Sequence, residues 1–365
     1  MRIAVFFFFY NMATGLLVPY LPQYFKSLGL TGVELASIQA LGNFALIFVP
    51  PIWGLIADRT QKPAWLLKLA CGSAAVAFVP MLWTNTVPPP GYLKLFVIMA
   101  LYSLLLSPVV ALADTVAVIE ARRLGTEYGR LRLWGSLGYI VTVASFSAWL
   151  TRGGKIEHVL PFGMVLICAY LVASMFNNAT AELHRIPPSL ADAGRLLKKP
   201  EFLCFLLAEL IHWMALAPFY VFFTIHMKDL HLSSYVGIGI GIGAFTEVMM
   251  MWSFQIIRRR VPLLLLLGVC SLISSFRWLC DAYLDNGVYI ILVQSLHCFT
   301  FAACYVGSIV YMERTVPPQL LATGRAMFSS IVMGLGGVLG SILAGKLYDI
   351  GQGKLRFLAR VCWSC

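Results

Sequence analysis

The sequence predicts an all-α polytopic membrane protein, and three observations support this fold class. Hydrophobic residues make up 60% of the chain and charged residues only 12%, with a mean hydropathy of +0.83. Soluble domains carry roughly 25% charged residues, so this chain has too little polar surface for a soluble globule. Apolar stretches of about 20 residues, long enough to cross a hydrocarbon core of about 30 Å, recur along the whole chain. Short breaks rich in Gly, Pro and Asn separate these stretches.

Taken in order, the apolar stretches predict eleven membrane helices. They run over 3–25, 33–57, 64–86, 92–119, 133–151, 158–178, 201–226, 234–257, 262–282, 288–312 and 324–348. The first stretch begins like a signal peptide, but it continues to Phe25 without a small-residue cleavage site, so we interpret it as a membrane helix. Pro19 and Pro22 in the first helix and Pro218 in the seventh are expected to break those helices.

The polar stretch 179–200 divides the predicted helices into six and five. It contains Pro and several basic residues, which is typical of a linker. The sequence therefore predicts an N-terminal six-helix bundle over 1–178 and a cytoplasmic linker over 179–200. A C-terminal five-helix bundle over 201–348 and a divergent tail over 349–365 follow.

The basic residues alternate strictly between the two sides of the membrane. The loops after helices two, four, six, eight and ten hold roughly fifteen Lys and Arg residues, against about five near the other loops. Because cytoplasmic loops carry the excess of Lys and Arg, the N-terminus and the linker are predicted to be cytoplasmic. The net charge of +11 thus lies in short loops and forms no basic face, which argues against a nucleic-acid partner.

The sequence holds no pattern typical of an enzyme, a metal site or a cofactor site. Most of the nine cysteines fall in or near apolar stretches, where they serve as small packing residues. Cys362 and Cys365 have a metal-type spacing but lack a second pair of ligands. Glu209 and His212 share one face of the seventh helix, too few ligands for a metal. Whether these two line a cavity or pack in the core stays open.

Among the ionisable residues inside or at the edge of the predicted helices, five are singled out as candidates for a functional site. They are Asp114, Arg132, Glu247, Arg277 and His297. A charge at membrane depth costs a few kcal/mol at least, so such residues are functional candidates. Arg132 stands at the start of the fifth helix, eighteen residues after Asp114. Arg130, by contrast, is interpreted as an ordinary loop charge.

The end of the second helix resembles a signature of the major facilitator superfamily. The stretch 54–62, GLIADRTQK, fits the family's G-x-x-x-D-R loop, although Gln61 and Pro63 depart from its usual continuation. The resemblance implies that Gly54, Asp58 and Arg59 form a gating loop, whose carboxylate latches one conformation of an alternating-access cycle. The alternative is a solvated pair of loop charges.

A second stretch, 128–135 or YGRLRLWG, resembles the start of the fifth helix in the oligosaccharide and nucleoside proton-symporter branch, which is lactose permease-like and phenylpropionate permease-like. In that branch the second arginine of the stretch binds sugar together with a carboxylate eighteen residues earlier. The resemblance therefore implies substrate binding by Arg132 and Asp114.

Glu247, Arg277 and His297 resemble the carboxylate, arginine and histidine that this branch carries in three successive C-terminal helices. The resemblance implies proton coupling, because desolvation favours a protonated carboxyl group while a nearby arginine favours its ionised form. A histidine relays or senses the proton. The branch's further glutamate, one turn after the histidine, is absent, which leaves Glu247 as the expected proton carrier. The alternative is a static buried ion pair that fixes helix register.

The resemblance covers nearly the whole chain and implies the major facilitator fold, two helical bundles around a central cavity. It implies an integral membrane protein that couples a proton to symport of a small polar or organic-acid solute. The family pattern ends at 345–349, so the twelfth helix is expected to be missing. The exposed flank would then meet lipid or a second copy of the chain. The alternative function is a non-transporting truncated isoform or a membrane interaction protein.

Overall fold

The computed structural model of the chain is helical throughout the part that it describes, and no strand occurs there. The described residues are 2–60, 62–84, 91–126, 128–178, 197–316, 324 and 327–350. The chain forms two compact units, Met1–Pro187 and Pro188–Cys365. Most of the predicted linker, 179–196, and the tail from 351 onward lie outside the described residues.

The described part of the N-terminal unit contains seven α-helices. They are α1 Arg2–Ser27, α2 Gly32–Thr60, α3 Pro63–Phe78, α4 Tyr92–Leu106, α5 Pro108–Leu124, α6 Tyr128–Thr151 and α7 Val159–Met175. A 3₁₀ turn, Val79–Trp83, extends α3, and another, Ile156–His158, precedes α7. The stretch expected as one helix over 92–119 is two, because Pro108 lacks the N–H that would continue the hydrogen-bond ladder.

The described part of the C-terminal unit contains six α-helices. They are α8 Pro200–Asp229, α9 Ser233–Arg260, α10 Leu263–Tyr283, α11 Gly287–Gln294, α12 Cys304–Thr315 and α13 Gly336–Ile350. Two π-helical segments, Cys298–Ala303 and Phe328–Leu335, lead directly into α12 and α13. These wider turns interrupt stretches that were expected as continuous helices over 288–312 and 324–348.

Eleven helical spans among the described residues are long and apolar enough to cross a membrane. They coincide with the eleven predicted stretches, which confirms the polytopic α-helical fold class. Each span covers one predicted apolar stretch. Helices α4 and α5 together form a single span of 33 residues. The agreement follows from the length criterion, since about 20 apolar residues are needed to cross a hydrocarbon core.

The expectation of broken helices at the prolines was wrong. Pro19 and Pro22 lie inside the continuous helix α1, and Pro218 lies inside the continuous helix α8. In a membrane bundle, neighbouring helices and local adjustments satisfy the backbone groups that proline frees, so proline does not have to end a helix.

Small residues bring helices into close contact in both units. In the N-terminal unit, a Cβ at Gly15 of α1 would lie 2.8 Å from the Tyr139 carbonyl oxygen of α6. In the C-terminal unit, a Cβ at Gly340 of α13 would lie 2.7 Å from Cα of Met214 in α8. Membrane helices associate through such small-residue contacts because lipid provides no hydrophobic drive between them. The pairs α1–α6 and α8–α13 are therefore in tight backbone-to-backbone contact.

Candidate functional site

Asp114 and Arg132 form an ion pair in the N-terminal unit. Asp114 lies on α5 and Arg132 on α6, with 3.9 Å between Arg132 Nε and Asp114 Oδ1. Their side chains are 37% and 38% exposed, for Arg132 and Asp114 respectively. An exposed pair is worth only about 0–1 kcal/mol, so a solute can displace or bridge it at low cost. The spacing of eighteen residues thus corresponds to a real contact.

Three neighbours position this pair, and sequence reasoning assigned none of them a role. The Tyr128 hydroxyl donates to Asp114 Oδ1 at 2.8 Å. The Arg132 guanidinium carbon lies 4.9 Å from the centre of the Phe7 ring on α1, a cation–π contact. A Cβ at Gly135 would lie 2.6 Å from the Asn11 amide nitrogen and 3.1 Å from an Arg132 guanidinium nitrogen, so a larger residue there would crowd both side chains. Two further residues of the YGRLRLWG stretch, Tyr128 and Gly135, therefore surround the Asp114–Arg132 pair.

The helix that carries Arg132 begins earlier than expected. The sequence predicted a start at 133, whereas α6 begins at Tyr128. Arg130 and Arg132 are both helical, but Arg130 is exposed while Arg132 points to Asp114 and Phe7. The two arginines are two residues apart and so point in different directions on a helix. The two arginines therefore have different surroundings, and the role of Arg132 in substrate binding stays a prediction.

A cavity of about 180 Å³ lies between α1, α2, α4 and α7 of the N-terminal unit. Its wall is mostly apolar, with polar contributions from Tyr10, Thr14, Gln39, Tyr102, Ser103 and Tyr170. Sequence reasoning missed this cavity. The available signal was the run of polar residues, such as Thr14 and Gln39, within otherwise apolar helices.

Glu247 and His297 form a pair in the C-terminal unit. His297 Nε2 lies 2.8 Å from Glu247 Oε1, and the two side chains are 7% and 21% exposed. Glu247 lies on α9, and His297 directly precedes the π-helical segment Cys298–Ala303. A carboxyl group and an imidazole at this distance can exchange a proton.

Arg277 of α10 is completely buried and contacts His297 at the ring nitrogen that faces away from Glu247, Nδ1. Its NH1 lies 2.8 Å from His297 Nδ1 and 3.0 Å from Thr300 Oγ1. Its NH2 donates to Gln294 Oε1 at 2.6 Å. The guanidinium carbon also lies 4.5 Å from the centre of the Phe219 ring. The three residues Glu247, Arg277 and His297 are thus brought together, with His297 in the middle.

These contacts determine the hydrogen positions on His297. A guanidinium only donates, so Nδ1, which contacts Arg277, must carry a free electron pair. The neutral imidazole then bears its hydrogen on Nε2 and donates it to Glu247. This tautomer is assigned from the hydrogen-bond network. Glu247 consequently accepts from His297 and does not contact Arg277 directly.

Asp281 extends the cluster, and sequence reasoning missed it although it lies inside the predicted ninth helix. Its Oδ1 accepts from Gln294 Nε2 at 2.7 Å, and its Oδ2 lies 3.9 Å from Arg277 Nε. At an effective dielectric constant of about 20, charges at this separation attract by about 4 kcal/mol. That attraction offsets part of the desolvation penalty of several kcal/mol per buried ion. The spacing of four residues from Arg277 was the available signal.

Glu209 and His212 both lie buried on α8. Two contacts of 3.4 and 3.6 Å join the Cys304 thiol to the Glu209 carboxyl oxygens. His212 Nε2 lies 2.8 Å from the Thr300 carbonyl oxygen, so it donates there. Their partners are core residues of the same unit, which places both side chains within the C-terminal bundle. No group of three or more His, Cys, Asp or Glu among the described residues could hold a metal ion.

The π-helical segment after His297 supplies contacts to two of these groups. Thr300 accepts from Arg277 with its hydroxyl oxygen and from His212 with its carbonyl oxygen. Insertion of a residue into a helix shifts the backbone ladder, and such π-segments are frequent at functional sites. The segment therefore connects the Arg277 cluster to α8.

The expected gating residues Gly54, Asp58 and Arg59 lie on the last turns of α2. Their side chains are outside the part of the chain that the structure describes, so the gating role stays a prediction.

Comparison with known proteins identifies transporters as similar in sequence and in structure. The model of the MFS_1 like family matches residues 1–359. The maltose permease of Geobacillus stearothermophilus is 27% identical over 380 residues, covering 98% of this chain and 90% of that protein. The probable 3-phenylpropionic acid transporter of Escherichia coli strain K12 is 25% identical, covering 98% of this chain and 94% of that protein. The crystal structure of the nucleoside transporter NupG superposes with a TM-score of 0.85 at 17% identity, over 99% of this chain and 94% of that one.

Proposed function

Because this chain belongs to the MFS_1 like family of the major facilitator superfamily, we propose that it moves a small polar solute across a membrane together with a proton. The family and the relatives are transporters, so the chain is an integral membrane transporter and not an enzyme. The proposal concerns the proton coupling and the solute.

The observation that carries the coupling proposal is the buried contact chain Glu247–His297–Arg277. Glu247 is the partly exposed end and Arg277 the fully buried end. A proton arriving at Glu247 neutralises the carboxylate, and His297 transmits the change to the guanidinium through its second ring nitrogen. Neutralising a buried charge lowers the cost of moving the surrounding helices, and this links protonation to the transport cycle.

The Asp114–Arg132 pair supports a neutral, hydroxyl-bearing solute. The arginine already has a carboxylate partner, so a solute acid would have to compete with Asp114 for it. A solute hydroxyl, in contrast, donates to the carboxylate and accepts from the guanidinium at the same time. Sugars and nucleosides have such hydroxyls, and relatives with these names include a maltose permease and a nucleoside permease. An organic acid is the other class to test, given the 3-phenylpropionic acid transporter.

The test is solute-driven proton uptake in liposomes that contain the purified full chain. Sugars, nucleosides and aromatic acids are added one at a time, and internal or external pH is followed with a dye. We expect alkalinisation of the medium with a hydroxyl-bearing solute, and its loss in Glu247→Gln while solute exchange at equal concentrations persists. Glu34→Gln, a carboxylate at the start of α2 that bonds Thr31, is the matched control and should leave uptake unchanged.

Proton-coupled flux that continues in Glu247→Gln would disprove the assignment of the proton to Glu247. Solute flux without any pH change would contradict symport. A well-folded preparation that moves none of the solutes would favour the alternative, a membrane protein that has lost transport.

A further inference from the structure

Asp281 and Arg277 are connected twice within the buried cluster. Directly, Asp281 Oδ2 faces Arg277 Nε at 3.9 Å, and neither atom has a hydrogen-bond partner among the described residues. Indirectly, Gln294 donates to Asp281 at 2.7 Å and accepts from Arg277 at 2.6 Å. The two charged side chains are 4% and 0% exposed, for Asp281 and Arg277 respectively. They form a pair that water does not reach.

The hydrogen-bond acceptors of Arg277 are uncharged. They are the His297 imidazole, the Thr300 hydroxyl and the Gln294 amide oxygen. Glu247 contacts the far nitrogen of the His297 ring, Nε2. Within the described part of the chain, Asp281 is therefore the carboxylate that faces the guanidinium.

The charges of this cluster balance in a way that depends on Asp281. Arg277 contributes +1 and an ionised Asp281 contributes −1, so this pair alone is neutral. An ionised Glu247 would then leave one unbalanced negative charge, which is costly in a low-dielectric interior. The cluster is neutral when Glu247 holds a proton. If Asp281 were uncharged, Arg277 and an ionised Glu247 would balance each other, and the neutral cluster would hold no proton.

We propose that Asp281 is a positioning residue that acts through Arg277: by neutralising the guanidinium, it makes Glu247 retain one proton in the solute-free carrier. Gln294 holds the two charged side chains in place. This inference rests on the proposed role of Glu247, and it goes further by naming the residue that sets proton affinity.

Further titratable groups lie near the Asp281–Arg277 pair on neighbouring elements. His226 of α8 contacts the main-chain oxygen of Asp281 at 3.0 Å, and Glu247 reaches the cluster from α9. Groups that interact electrostatically with Arg277 or Asp281 also include Tyr220, Cys280 and Cys298. Tyrosine and cysteine are neutral near pH 7, so His226 is the group that needs its own control.

The first test uses no solute. Infrared titration of the full chain in lipid vesicles follows the carbonyl stretch of a protonated carboxyl group, which differs from that of a carboxylate. We expect that Glu247→Gln removes one band from those that titrate. In Asp281→Asn the midpoint of this band should move about one pH unit or more to lower pH, which corresponds to about tenfold weaker proton binding. Asp281→Glu should restore the native midpoint.

Charge-balanced variants separate this role from a merely structural one. Arg277→Gln alone should raise the midpoint, because both remaining carboxylates then lack a counter-charge. The double variant Arg277→Gln with Asp281→Asn should return it to the native value or above, since no cation is left to favour an ionised Glu247. Asp285→Asn, an exposed carboxylate just after α10, and His226→Gln are the matched controls and should leave the midpoint in place. These variants keep the test decisive if Asp281→Asn alone does not fold.

The second readout is transport with a solute identified as above. Asp281→Asn should keep solute exchange at equal concentrations and lose accumulation against a gradient, with the pH profile of uptake shifted to lower pH. A folded Asp281→Asn chain whose Glu247 band titrates as in the native chain would overturn the proposal. A shift of the Glu247 midpoint in His226→Gln would overturn it as well. A band that behaves as expected in a chain that moves no solute would refute the proposed transport and leave the role of Asp281 supported.

Discussion

At the scale of single residues, His297 lies between two charged side chains of the C-terminal unit, Glu247 and Arg277. It separates Glu247 from Arg277, because its Nε2 contacts the carboxyl group and its Nδ1 contacts the guanidinium. A direct carboxylate–arginine contact would hold Glu247 in its ionised form. In the proposed mechanism, the interposed imidazole lets Glu247 change its protonation state while Arg277 stays paired with Asp281.

In the N-terminal unit, the hydrogen bond of Tyr128 leads to a prediction about solute binding. Its hydroxyl donates to Asp114 at 2.8 Å and so fixes the carboxylate beside Arg132. A hydrogen bond to a charged group is worth about 1.5–3 kcal/mol. Tyr128→Phe should therefore weaken solute binding by about tenfold or more, measured as KM in the liposome assay. Tyr92→Phe, whose hydroxyl pairs with Ser37 outside this site, should leave KM unchanged.

Failure of Tyr128→Phe to change KM for any transported solute would indicate that Asp114 does not contact solute. An equal rise of KM in Tyr92→Phe would point to a general loss of packing instead.

At the scale of helices, the tight crossing of α8 and α13 depends on Gly340. Its missing Cβ lets the main chain of Met214 approach, and a Cβ there would also lie 2.9 Å from that of Ala217. Overpacking of a well-packed contact costs typically about 1–3 kcal/mol. Gly340→Ala should accordingly lower the midpoint of thermal unfolding in detergent.

Gly241→Ala is the matched control, because a Cβ at Gly241 of α9 meets nothing within 4 Å. Alanine favours a helix over glycine by about 1 kcal/mol, so this variant should unfold at the same temperature or higher. If both variants unfolded alike, the α8–α13 crossing would not depend on a small residue.

Helix irregularities also belong to this scale. The prolines at 19, 22 and 218 do not break their helices, whereas the π-helical segments at Cys298–Ala303 and Phe328–Leu335 contain no proline. The first of these segments places Thr300 between Arg277 and His212. Side-chain packing and not backbone composition selects such positions, so they were not predicted from the sequence.

For the whole molecule, the alternation of Lys and Arg predicts the topology in the membrane. With the N-terminus in the cytoplasm, the loop at Thr126 is cytoplasmic and the loop at Asn286 faces the opposite side. In intact cells, a membrane-impermeant maleimide should label Asn286→Cys and spare Thr126→Cys, after subtraction of the labelling of the unmodified chain. Permeabilised cells should label both, and the reverse pattern would invert the orientation.

Properties that depend on counting along the chain were predictable before any fold was known. The eleven membrane spans, the all-α class and the family followed from apolar length and short motifs, and the structure and the comparisons confirm them. Length against the thickness of a bilayer is a one-dimensional criterion, which explains why spans are predictable within a few residues. Predicted and observed helix ends differ by up to five residues. For example, α6 begins at Tyr128 and not at 133, so Arg130, which was predicted to be a loop charge, is helical.

Which ionisable groups meet, and in what order, became known only from the folded chain. The separations between Glu247, Arg277 and His297 along the chain do not reveal that His297 lies in the middle, or that Gln294 links Arg277 to Asp281. Side-chain contacts depend on how helices rotate and where a π-helical turn shifts the register, and packing of the whole unit sets both. The arrangement of charges around Glu247 is therefore decided by the tertiary structure, because a buried charge is stabilised only by the groups that surround it.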